Sequence, residues 1–298
     1  MATILDAAAF AALLDVRATE PARIRTALAS RRRRDLLGGD GRLLIVAADH
    51  PARGALAVGA DPTAMADRYD LLERLALALS RPGVDGVLGT ADIIDDLAAL
   101  GLLDDKIVVG SMNRGGLRGS VFELDDRMTG YDVSTMVEDG IDVAKTLVRI
   151  GLDDAGTLPT LTAMAAAVGA AARARLPIML EPFLTRWVKG RAVNDLSTDA
   201  VILSVAIASG LGPSSAYTWL KLPVVDDMER VMAATTLPTL LLGGDSTADP
   251  DAAFASWQRA LVLPGVRGLT VGRTLLYPPG GDVAAAVDIA ARLVHPDL

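Results

Sequence analysis

From Leu43 onward, short apolar runs alternate with stretches of helical length, and this rhythm restricts the fold more than any other property of the chain. The spacing predicts strands over residues 43–48, 86–89, 107–110, 143–150, 178–181, 217–223, 239–242 and 269–271. Most are unbroken Val, Ile and Leu runs, the pattern of parallel strands buried on both faces. The stretches 161–175, 198–209 and 251–263 between them have helix length. Eight such units predict a closed (β/α)8 TIM barrel, because the rival open doubly wound sheet needs a G-x-G-x-x-G turn after its first strand and this chain has none. A length of 298 residues with 51% apolar content fits one barrel domain over 1–298, and no linker divides it. Residues 1–40 read as a helical N-terminal extension that caps the barrel base. Its four consecutive arginines, Arg31 to Arg34, read as a solvated helix face near a helix C-terminus.

Composition removes several classes of function. The formal charge of -8 offers no positive field for nucleic acid or an anionic membrane surface. No apolar stretch reaches the roughly 18 residues of a membrane span, and the start, MATILDAAAF, does not read as a signal peptide. The absence of cysteine agrees with a cytoplasmic protein and removes thiolate nucleophiles. With His50 and His295 as the two histidines, a zinc site built from several imidazoles cannot be assembled. No metal and no cofactor are expected. The chain has four lysines, Lys106, Lys145, Lys189 and Lys221, among 29 basic residues, so each asks for a reason. Lys106 and Lys189 read as solvated.

Active sites of βα barrels gather where strands end and βα loops begin. The polar residues there are Asp49 and His50 after the first strand, Asn113 and Arg114 after the third, Lys145 on the fourth, Glu181 ending the fifth and Lys221 on the sixth. Lys221 sits in Tyr-Thr-Trp-Leu-Lys-Leu-Pro, where an ammonium is costly unless it meets a polar barrel mouth. Burial near a second cation such as Lys145 lowers an amine's pKa from about 10.4, and the neutral amine then attacks a carbonyl to form a Schiff base. The other reading is a buried ion pair with a strand-end carboxylate. Gly243-Gly244 and Gly272-Arg273 follow the seventh and eighth strands, where barrels often hold phosphate on backbone N–H groups, and Arg273 adds a cation. Asp245 opposes such a role unless it turns away or caps the next helix. His50, Asn113, Arg114 and Arg186 lie where a substrate contact is reachable, while Trp187, Trp219 and Trp257 read as packing residues.

Several of these segments together resemble a known family. Leu220-Lys221-Leu222-Pro223-Val224 resembles the Schiff-base strand of class I tagatose-bisphosphate aldolases, in the superfamily that includes deoxyribose-phosphate and archaeal-type fructose-bisphosphate aldolases. Thr129-Gly130-Tyr131-Asp132, then Asp142-Val143-Ala144-Lys145, is similar to that family's T-G-Y-D loop and fourth-strand lysine. Leu180-Glu181-Pro182 and Ala48-Asp49 resemble its L-E-P strand end and first-strand aspartate, though the continuation here is Asp49-His50-Pro51. The matches run in order from about residue 43 to 278.

The resemblance implies Lys221 as nucleophile, with Lys145, Glu181 and Asp49 shuttling protons and holding hydroxyls, Gly243, Gly244, Gly272 and Arg273 at phosphate, and Asn113, Arg114, Tyr131 and Arg186 near substrate. It leaves the general acid open between Tyr131 and Glu181. The implied substrate is a phosphorylated ketose or keto-deoxy sugar acid, either a ketose bisphosphate or the keto-deoxy-gluconate phosphate of inositol breakdown. Arg149-Ile150-Gly151 stands where the tagatose enzymes tend to have a tyrosine pair, which favours the sugar acid. Enamine transfer to a second acceptor, as in a transaldolase or synthase, and a sugar-phosphate-binding barrel without turnover are the other readings. Relatives of this kind associate, which implies a homo-oligomer.

Overall fold

The apolar runs become the staves of a closed barrel in the computed structural model, which describes residues 5–243 and 250–298. Its eight parallel strands are β1 (Leu43–Ala47), β2 (Gly86–Gly89), β3 (Ile107–Ser111), β4 (Val143–Ile150), β5 (Ile178–Val188), β7 (Thr218–Pro223), β8 (Thr239–Leu242) and β9 (Val266–Val271). They pair in the order β4-β3-β2-β1-β9-β8-β7-β5, and β4 pairs with β5 to close the ring. The predicted barrel is therefore the observed one. Helices α3 (Arg68–Ser80), α4 (Ala91–Ala99), α5 (Val133–Glu138), α6 (Thr157–Ala174), α7 (Thr198–Ser209), α8 (Met228–Ala233), α9 (Pro250–Leu261), α10 (Arg273–Leu276) and α11 (Val283–Val294) return the chain between strands and close it. Asp67, Asp132, Ser197, Asp227 and Asp282 each accept a hydrogen bond from a backbone N–H of the helix they precede, which satisfies a donor the first turn leaves open.

One departure is at β5, which the sequence reading ends at Glu181. The strand continues to Val188 and turns back as β6 (Arg191–Asn194), an antiparallel hairpin standing out from the barrel mouth. Trp187 lies on this hairpin, exposed, with its indole N–H donating to Asp154, so it is not the packing residue expected. Trp219 and Trp257 do pack, the first in the barrel and the second from α9 into the surrounding core.

The lower barrel is filled with apolar side chains. Leu43, Ile45, Ile107, Val109, Val143, Met179 and Leu240 meet on its axis, and Leu36 and Trp219 close against them from below. Leu36 belongs to the segment that follows α1 (Ala7–Thr19) and α2 (Ala22–Ser30). The four arginines in that segment correct the reading of a helix face, although Arg32 and Arg33 are solvent-exposed as expected. The helix stops at Ser30, and the extended chain beyond it lashes the strand starts together. Arg31 is buried; its guanidinium donates to the carbonyls of Lys106 and Gly140 and to Asp142. Arg33 pairs with Asp142, Arg32 with Asp105, and Arg34 with Asp85. Lys106 is likewise half-buried at the base, donating to the Val84 carbonyl at 2.6 Å.

The C-terminal segment completes this seal through His295, whose ring nitrogens meet Asp40 and Asp85. Asp85 in turn accepts from the Leu44 backbone N–H at 2.7 Å, which joins the tail to β1. The hydrogen bond to Asp85, aided by Asp40 and opposed by burial, raises the imidazole's pKa. A raised folded-state pKa gives stability that is fully present below the unfolded value of about 6.5 and lost as pH rises through the folded value. His295→Gln should therefore lower the thermal midpoint by roughly 2–4 °C at pH 5.5–6, and by much less at pH 9; an equal loss at both would show that the ring acts by packing alone.

Candidate functional site

Strand alternation turns every second side chain of a barrel strand inward, and above the apolar floor these positions become polar. They are Asp49 just past β1, Ser111 ending β3, Lys145 on β4, Glu181 on β5 and Lys221 on β7. All five are buried. Glu181 is shared by two amines: its Oε1 accepts from Lys221 Nζ at 2.7 Å and its Oε2 pairs with Lys145 Nζ. Lys145 also donates to Asp49 Oδ2 at 3.2 Å. That same oxygen accepts from Ser111 Oγ at 3.1 Å and pairs with the Arg114 guanidinium, which reaches Ser111 Oγ through Nε.

Three cations, Lys145, Lys221 and Arg114, thus stand against two carboxylates. Burial lowers the pKa of Lys221, Glu181 opposes the shift, and Arg114 and Arg273 add to it. Lys145 is held well below the ordinary lysine range by burial and then by Arg114. For Glu181 burial acts upward, but the two ammonium groups outweigh it and hold the carboxyl well below its usual range. Burial brings Arg114 down to about 10. Burial and neighbouring cations thus draw both amines toward the neutral form, while Glu181 draws them toward the charged one.

The mouth has two unlike sides. Leu147, Phe183 and Leu242 form an apolar rim above Lys145 and Glu181. Across from it, Gly272 is pressed so closely to β1 that a Cβ there would sit 2.4 Å from the Ala47 carbonyl and 2.9 Å from His50 Cε1. Gly243 is similarly confined, by Val271 and Trp257. Arg273, at the start of α10, is half-buried and close enough to lower the pKa of both Lys221 and His50. Gly244 and Asp245, expected on the same side, lie outside the described residues.

Three expected substrate contacts lie elsewhere. Tyr131 packs against the outer face of β3, where a Cβ on Gly110 would strike its ring, and burial followed by the charges of Asp95, Asp139 and Asp92 raises its pKa. It is on the helix side of the barrel wall, out of reach of the amines. Asn113 is consumed by backbone: its Nδ2 donates to the carbonyls of Asp126 and Leu147, and its Oδ1 accepts from the Leu147 N–H. Arg186 is exposed on the hairpin, five residues past Glu181 and so roughly 16 Å along the strand. The sequence reading also missed a buried network in which Arg149 on β4 grips Asp126, Glu123 and the Gly116 carbonyl, holding the loop after β3 in place. Alternation from Lys145 through Leu147 to Arg149 was the available signal. Among the described residues, no group of three or more His, Asp or Glu side chains is arranged to hold a metal ion, and no helix is long and apolar enough to cross a membrane.

The model of the Cgl0159-like family matches residues 41–291, and the chain belongs to that family. The crystal structure of Cgl0159 from Corynebacterium glutamicum is 72% identical, with 99% of this chain and 100% of that one covered and a TM-score of 0.98. An archaeal fructose-1,6-bisphosphate aldolase, solved with its catalytic lysine covalently bound to the carbinolamine intermediate, superposes over 91% of this chain and 99% of its own with a TM-score of 0.64. A fructose-bisphosphate aldolase from Slackia heliotrinireducens covers 100% and 90% with a TM-score of 0.61. At 18% and 15% identity these two share the fold. No curated protein sequence matches the chain.

The position of Tyr131 is directly testable. Its hydroxyl is buried without a hydrogen-bond partner among the described residues, and a buried unpaired hydroxyl costs about 1–3 kcal/mol. Tyr131→Phe should leave the thermal midpoint unchanged or higher; a fall of several degrees would show that the hydroxyl is bonded.

Proposed function

We propose that this member of the Cgl0159-like family is a class I aldolase that cleaves a phosphorylated ketose or keto-deoxy sugar acid through a Schiff base on Lys221. The observation that carries the reading is the pair of buried lysines sharing Glu181 at the C-terminal ends of barrel strands. A lysine kept partly neutral by its surroundings is a nucleophile toward carbonyls. Lys221 is the better placed of the two, because Lys145 is fully enclosed and bridges both Glu181 and Asp49. The archaeal fold neighbour with a carbinolamine on its catalytic lysine supports the same chemistry here by analogy of fold.

In this reading, neutral Lys221 adds to the substrate carbonyl, and the resulting carbinolamine loses water to leave a protonated imine. A base removes the proton from the hydroxyl on the carbon beyond the bond to be cleaved. That carbon–carbon bond breaks, its electron pair moves toward the iminium nitrogen, and an aldehyde leaves. The enamine takes a proton on carbon, and water releases the ketone and restores the amine. Glu181 is the base candidate within reach of the amine, with Lys145 and Asp49 relaying protons behind it. Gly272 and Arg273 bind the phosphoryl group, Gly243 flanks it, and Arg114 orients substrate through Asp49. Of the two substrates, a keto-deoxy-gluconate phosphate is preferred over a ketose bisphosphate, because Arg149, in place of the tyrosine pair of tagatose enzymes, is committed to Asp126 and Glu123.

Sodium borohydride with dihydroxyacetone phosphate should leave one reduced adduct, mapped by mass spectrometry to Lys221, and Lys221→Arg should abolish it. An adduct on Lys145 would reverse the roles, and no adduct with any carbonyl ligand on folded protein would end the aldolase reading. Because only the neutral amine adds, trapping should rise with pH through the lysine's lowered pKa and level off below the ordinary value of about 10.4. Each of the two candidate substrates should be tested for release of triose phosphate.

A further inference from the structure

His50 has no part in the chemistry described so far, yet it lies against the candidate phosphate turn and near enough to Lys221 for that amine to oppose a charge on the ring. It follows Asp49 directly, its Nδ1 lying 3.9 Å from Asp49 Oδ1, too far for a hydrogen bond. The Cε1 edge of the ring rests against Gly272, which cannot carry a Cβ without striking it. Nδ1 is buried with no hydrogen-bond partner among the described residues, although 18% of the side chain stays accessible. Buried imidazole nitrogens left unpaired are costly, so a ring held in this position asks for a ligand atom.

The charge around it decides what kind of contact the ring can make. Arg273 beyond β9, Lys221 on β7 and Lys145 on β4 all oppose a positive imidazole, Glu181 on β5 favours one, and burial outweighs them all in keeping the ring neutral. A neutral imidazole offers one N–H donor and one acceptor nitrogen and does not compete with Arg273 for an anion's charge.

Resting on the aldolase reading, we propose that His50 is a positioning residue that hydrogen-bonds to an oxygen of the phosphorylated ketone half of the substrate. That half places its phosphoryl group at the Gly272–Arg273 turn, against which the ring lies. The aldehyde half leaves on the other side of the broken bond. The contact gives the site a means of choosing a phosphorylated ketone by an uncharged group as well as by Arg273.

The test compares wild type with His50→Gln, which keeps an amide donor and acceptor, and His50→Leu, which keeps bulk without hydrogen bonds. Dihydroxyacetone phosphate is titrated into each by calorimetry, and the same samples are trapped with borohydride across a pH series. His50→Leu should bind the ketone at least tenfold more weakly, His50→Gln should recover to within about threefold of wild type, and the pH midpoint of trapping should be the same in all three. Wild-type affinity in His50→Leu would overturn the inference, as would a shifted pH midpoint in His50→Gln, since that would mark the ring as a titrating acid or base. Should His50→Leu fail to fold by circular dichroism, His50→Ala replaces it with the same expectation. Binding is read apart from covalent chemistry: wild type that binds the ketone without forming an adduct overturns the Schiff-base reading and leaves the effect of His50 measurable. Wild type that does not bind it at all overturns both.

Discussion

A single carboxylate, Glu181, stands between two lysines that are otherwise surrounded by barrel wall, and the upper half of the barrel depends on it. Two ammonium groups in an apolar interior would repel each other and pay the cost of leaving water without return. Glu181 meets both, and Asp49 takes a second contact from Lys145 and gathers Ser111 and Arg114 on the same oxygen. These side chains come from five different places on the ring. The polar layer spans the whole ring, which β9 closes on β1, while Lys145 and Glu181 meet across the consecutive strands β4 and β5.

The two ends of the barrel are built for opposite purposes. The base is plugged with aliphatic side chains and strapped by Arg31 to Arg34 and by His295, each pinned to a carboxylate or to backbone carbonyls at strand starts. Arginine suits this work because one planar fork reaches several acceptors at once. With the base sealed, the mouth carries the polar groups, one side lined by an apolar rim and the other by His50, Gly272 and Arg273. An asymmetric mouth of that sort can orient an asymmetric ligand, with its charged end toward Arg273.

The motifs that drew attention in the sequence fall into two groups once the chain is folded. Lys145, Glu181 and Lys221 lie on strands at inward positions, Asp49 follows β1 directly, and the structure brings the four together. Tyr131 and Asn113 come from the loops around β3, and those loops fold back on the scaffold: Tyr131 turns to the outer wall, and Asn113 stitches its loop to β4. Arg186 is carried away by a strand longer than its apolar run. Loop residues escape sequence reasoning because no periodicity fixes where their side chains point, and hydrogen bonds to distant backbone decide it.

What the sequence by itself determined is the count and order of the strands, their burial on both faces and, through the period of two along β4, β5 and β7, which polar side chains face the axis. These follow from local covalent geometry and the exclusion of apolar surface from water, and neither needs knowledge of distant neighbours. Only the tertiary structure decided that two lysines share one carboxylate, that the four arginines pair with carboxylates at the barrel base, and that His50 lies against Gly272. Each of those is a contact between segments tens to hundreds of residues apart, and its energy is set by the desolvation and charge that arise when the ring closes.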